Sequence, residues 1–182
     1  MPATKNILIA ILLAIGTLSA VRTSSADVKD SSDQGFSSVV SISVNGDPRT
    51  VFDTLIKPSK WWNPAHSWSG DAANMSIDPV PGGAFLEKLP DGGFCRHMEV
   101  VYAEPGKLLR MHGGLGPLQE QAIHGSMTVR LRKDGDQTVV DVTYNVTGYV
   151  PGGISKWSAP VDGVLSEQFD RLKKSMEGTL EK

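Results

Sequence analysis

The chain has 182 residues, 40% of them hydrophobic and 21% charged, with a formal net charge of −2 and one cysteine. No basic excess is available to neutralise phosphates, which argues against nucleic acid as a partner, and a single thiol excludes an intramolecular disulfide. A chain of this size is expected to form one domain burying roughly 68–70% of its unfolded surface, enough for a core and an internal pocket.

The first element is a targeting segment. Lys5 supplies a positive start, residues 7–18 are apolar apart from Gly16 and Thr17, and Ser24, Ser25 and Ala26 fit a small-x-small cleavage site. The apolar run falls short of the roughly 20 residues of an ordinary membrane span. The expectation is therefore a signal peptide over residues 1–26, cleaved after Ala26, a periplasmic or secreted protein, and no stable membrane insertion afterwards; a retained anchor is the alternative. Cleavage would remove Lys5 and Arg22 and leave 16 basic against 20 acidic residues, a net charge of −4. Residues 27–36 are polar and Ser-rich and read as a flexible lead-in.

A single domain is expected over residues 37–178. Val40, Ile42 and Val44 alternate with Ser41 and Ser43, as in a half-buried first strand. Asp47 and Pro48 are a suitable cap and first residue for a helix carrying Val51, Phe52, Leu55 and Ile56 on one side. Pro58 ends it, and Ser59 opens a short turn bearing Trp61 and Trp62. Residues 64–74 read as a loop with His66 and Trp68. Strand candidates follow at 75–78, 84–88, 93–101 and 107–113, separated by Pro-Gly and Asp-Gly turns. The clearest strands come next. Ile123, Gly125, Met127, Val129 and Leu131 form one apolar face, and beyond the turn at 133–136 so do Val140, Val142, Tyr144 and Val146. A last helix, starting between 155 and 159 and ending near 177, carries Val161, Val164, Leu165, Phe169, Leu172 and Met176 as a stripe.

No nucleophile elbow, Walker loop, His-Glu-x-x-His or Cys-x-x-Cys is present, so no cofactor and no metal are expected. His97 and Glu99, two apart on one predicted strand, are the nearest approach to an acid–base pair. Their neighbour Cys95 reads as a small apolar strand residue. Tyr144 is predicted to face inward, where its hydroxyl needs a partner.

The segments Val51-Phe52-Asp53-Thr54-Leu55, Lys60-Trp61-Trp62, Pro81-Gly82-Gly83-Ala84-Phe85 and Glu104-Pro105-Gly106-Lys107-Leu108 are informative in their order. So are the hairpin over 123–146 and Gln168-Phe169-Asp170-Arg171-Leu172-Lys173. Together they resemble the SRPBCC superfamily, which includes START lipid-transfer domains, the major birch pollen allergen, polyketide cyclases and heat-shock ATPase activator homologues. The resemblance spans residues 37–177. It implies an α+β helix-grip: a curved antiparallel sheet of six to seven strands around a long C-terminal helix, with two short helices after the first strand. It also implies a cavity between sheet and helix for a small hydrophobic or aromatic molecule. The residues expected to line or orient it are Trp61, Trp62, Trp68, His97, Met127, Tyr144, Trp157 and Leu165. The alternatives are a polyketide cyclase or dehydratase-like enzyme using His97, Glu99 and Tyr144, and an interaction module like the ATPase activators, in which the cavity would be filled.

Overall fold

The computed structural model describes residues 26–181. The leader expected at the N-terminus lies outside these residues but for Ala26. The fold is the expected α+β helix-grip, with eight antiparallel strands in one curved sheet. The strands are β1 (Ala26–Ser32), β2 (Gly35–Asn45), β3 (Met75–Ile77), β4 (Ala84–Lys88), β5 (Phe94–Glu104), β6 (Leu108–His112), β7 (Ala122–Asp134) and β8 (Gln137–Tyr149). Their order across the sheet is β1-β2-β8-β7-β6-β5-β4-β3. A short helix, α1 (Pro48–Leu55), follows β2, and the long helix α2 (Ser158–Glu177) ends the domain.

Local chemistry explains the helices. The Asp47 carboxylate accepts from the amides of Arg49 and Thr50 at 3.0 and 3.1 Å, satisfying donors that the first turn leaves open. Helix α1 then buries Val51, Phe52 and Leu55. Helix α2 stops at Gly178, which takes the left-handed conformation (φ 70°) that closes a helix without a Cβ penalty. It packs on β2 and β1 and buries Leu165, Gln168, Phe169 and Leu172.

Two sequence expectations need correction. The segment expected as a lead-in at 27–36 forms regular sheet: Ala26–Ser32 is an edge strand that pairs antiparallel with β2, from Ala26 opposite Val40 to Ser32 opposite Gly35. Its Ser31 hydroxyl donates to that of Ser158 on α2 at 3.3 Å. An edge strand tolerates polar residues because one side of it meets water, so Lys29, Asp30 and Ser31 gave no apolar alternation to read. The second correction is in β5. Phe85 pairs with Met98 and Leu86 with Arg96, which leaves His97 as an extra residue in a bulge. Both His97 and Met98 consequently point inward. Glu99 falls on the other face and meets Arg96 at 3.4 Å, so the predicted His97–Glu99 pair does not form.

Candidate functional site

A cavity of about 340 Å³ lies between α2 and two loops. Pro160, Val161, Val164 and Leu165 of α2 make its floor, Trp62, Trp68 and Trp157 its walls, and the turn carrying Leu115, Pro117 and Leu118 its roof. The size lies in the range of small-molecule sites, and the surface is mostly apolar.

Each wall is held by its own local structure. The turns after Pro58 and Pro64 fix Trp62, whose indole Nε1 donates to the His66 carbonyl at 2.9 Å. Trp68 is about half exposed, at the cavity mouth. Trp157 ends the short turn Ser155–Trp157 just before α2. Its indole Nε1 is buried and, with Gln168 Nε2, is one of two such side-chain atoms without a hydrogen-bond partner among the described residues. An unmet buried donor costs free energy of order 1–3 kcal/mol. At the rim, His66 Nε2 lies 3.0 Å from Glu167, and the Asn63 amide also donates to that carboxylate. The Asn63 bond, reinforced by His66, holds Glu167 below the usual carboxylate range.

The roof is tied down from the sheet. Tyr144 Oη donates to the Gly113 carbonyl at 3.0 Å and accepts from the Leu115 amide at 3.3 Å. Gly125 makes this possible, since a Cβ there would lie 2.6 Å from the hydroxyl. Burial pushes the Tyr144 phenol up, well above its ordinary value. Of the eight residues expected at the ligand, Trp62, Trp68, Trp157 and Leu165 are brought together in the cavity wall. Trp61 is buried outside it, against Trp62 and Phe169, with its indole donating to the Thr54 carbonyl at 3.1 Å. Met127, Tyr144 and His97 also lie outside the lining. Val161, Val164 and the 115–118 turn went unassigned; the two valines were legible as part of the helix stripe, the turn only as a Gly-Pro loop.

Behind the Trp62 wall is a buried ionisable pair that sequence reasoning missed. Phe85 packs edge-on against Trp62 at 5.5 Å and at a tilt against His97 at 5.0 Å between ring centres. His97 Nε2 lies 2.9 Å from Glu87 Oε2, and the two side chains are 3% and 0% exposed. The sequence signal was Glu87 standing in phase with Phe85 on β4. Burial by itself raises the Glu87 carboxyl, but the hydrogen bonds it accepts from Ser69 and His97 outweigh it and leave the group below the usual carboxylate range. Burial lowers His97 below its ordinary value, against the opposing pull of Glu87. The pair is therefore a carboxylate accepting from a neutral imidazole, with Nε2 as donor and Nδ1 as acceptor.

Beyond His97, a second, polar cavity of about 330 Å³ is lined by Arg96, His97, Glu99, His112 and Gln119, with Leu118 bordering both cavities. Among the described residues, no three His, Cys, Asp or Glu side chains converge as a metal site, and no helix is long and apolar enough to cross a membrane.

Solved structures share this fold. An uncharacterised protein from Rhizobium leguminosarum superposes with a TM-score of 0.59 at 17% identity, covering 85% of this chain and 98% of its own. CalU16 from Micromonospora echinospora superposes with a TM-score of 0.53 at 13% identity, covering 84% of each chain. The di-domain ARO/CYC StfQ of the steffimycin biosynthetic pathway gives 0.53 at 13% identity, over 81% of this chain and 51% of that one. At these identities the likeness is one of fold, the helix-grip. No protein-family model matches the chain, and no curated protein does.

Proposed function

We propose that this protein binds a small hydrophobic or aromatic molecule in the cavity over α2. One observation carries the reading: three tryptophans and the apolar face of α2 enclose about 340 Å³ that core side chains leave open. Burial of apolar ligand surface would supply affinity at roughly 25 cal/mol per Å² before the costs of association. With the expected leader removed, the ligand would be met in the periplasm or outside the cell.

A second reading, a cyclase- or dehydratase-like enzyme, draws support from the Glu87–His97 pair, one phenyl ring from the cavity wall. The ARO/CYC fold neighbour supports it by fold analogy alone. An interaction module, which would want a filled interior, gains nothing from an open one.

Native mass spectrometry of the protein purified from its own host tests the binding reading. A co-purifying small molecule, released on denaturation, is the expected result. A bare protein that also leaves the fluorescence of an added anilinonaphthalene sulfonate unchanged would overturn it.

A further inference from the structure

Cys95 does not stand alone. Its Sγ lies 3.8 Å from His97 Nδ1, on the far side of the imidazole from Glu87. The Gln119 side chain spans the same two groups: its Oε1 accepts from the thiol at 3.1 Å, and its Nε2 lies 3.4 Å from His97 Nδ1 while donating to the Arg96 carbonyl at 3.2 Å. Thiol, imidazole and carboxylate thus follow in line, with an amide beside the thiol. Cys95 pairs with Glu87 across the β4–β5 ladder, and His97, two residues on, lies on the same inward side, so its two ring nitrogens reach the carboxylate and the sulfur.

The geometry points to a nucleophile–base–carboxylate unit formed by Cys95, His97 and Glu87 that takes acyl groups from short-chain esters or thioesters reaching the partly exposed thiol beside the polar cavity. The pattern meets the general requirement for an activated nucleophile: a base within reach of it, and a third group orienting the base, at separations that are often looser before substrate binds. The protonation states suit the roles. Burial raises the Cys95 thiol, with Glu87 adding to the effect against the Gln119 bond, so the sulfur stays protonated and needs a base. His97 is neutral, and Glu87 accepts its Nε2 proton, which leaves the Nδ1 lone pair towards the sulfur.

In the acylation step, the thiol proton passes to His97 Nδ1 as Sγ attacks the carbonyl carbon. A carbon–sulfur bond forms, and the carbonyl π pair moves to the oxygen. Collapse breaks the bond to the leaving oxygen or sulfur, which takes the proton from Nδ1. Water then attacks the acyl-thioester, giving its proton to Nδ1, and Sγ leaves and recovers a proton from the same nitrogen. No redox partner is required. The groups facing His97 are Glu87 from β4, Cys95 from its own strand and Gln119 from the 116–120 turn, while Arg96 and Glu99, paired with each other, and His112 of β6 line the same polar cavity. This site is separate from the apolar cavity and stands or falls without it.

The test uses the full chain and p-nitrophenyl acetate, with intact-mass analysis and peptide mapping of the acetyl group. Cys95 is expected to be acetylated about 100-fold faster than in His97→Asn protein, the scale of general-base assistance. Its rate should be flat through the neutral range, and Glu87→Gln should fall between the two. Acetyl groups on lysines only, a Cys95 rate no greater than in the urea-unfolded chain, or a rate that keeps climbing with pH as an unassisted thiol does would overturn the assignment. The last two comparisons need no variant to fold.

Discussion

At the scale of single residues, the buried Glu87–His97 pair makes the fold sensitive to acid. The imidazole takes up a proton less readily in the folded protein than in the unfolded chain, whose ordinary value is 6.5. The unfolded state therefore binds the proton first as pH falls. The stability that neutral His97 contributes is complete above about 6.5 and is lost as pH drops below it. Glu87 has the same sign lower down, its contribution being present above its ordinary value of 4.5 and lost as pH falls through its depressed folded value. Urea midpoints measured against pH should hold steady above neutrality and decline below about 6.5. In His97→Gln protein the first part of that decline should disappear while the later part remains.

At the scale of elements, alternation in the sequence was a good guide where a strand is regular. Met127, Val129 and Leu131 on β7, and Val140, Val142 and Tyr144 on β8, all face inward as expected. It failed where geometry departs from period two. At His97 one inserted residue turned two neighbours inward, and nothing in the letters Arg96-His97-Met98 announces a bulge. It failed again on β1, whose polar residues sit at a sheet edge where water takes the place of a core. Helix α2 was legible from its stripe, and its face can be checked. Leu165 is 1% exposed, so Leu165→Asp brings an unpaired charge into the helix–sheet core. It should cost about 4 kcal/mol or more, visible as a large fall in melting temperature or failure to fold. Unchanged melting would show the wrong face had been assigned.

At the scale of the whole molecule, the sheet and α2 do not close completely on each other. Val161 and Val164 are only half-buried because the space above them is cavity rather than strand. The tryptophans gave the sequence its hint of a ligand site, but the choice among them depended on packing. Trp61 turns into the core and Trp62 into the cavity, and adjacent identical residues carry no sign of which goes where. Filling the void separates binding from folding. Val164→Trp should cost under about 1 kcal/mol, because its ring enters empty space rather than an occupied core. It should weaken binding of an apolar fluorescent probe at least about tenfold. Equal probe affinity in this variant would move the site elsewhere.

The bulge also bears on how such a chain can diverge. Because Leu86 already pairs with Arg96 and Phe85 with Met98, removing His97 alone would leave every other β4–β5 partner where it is. The imidazole is thus an insertion into an otherwise regular ladder rather than one choice among side chains at a fixed position. Losing it as a one-residue gap would keep the strand register but leave the buried Glu87 without its partner, so the two residues would have to change together.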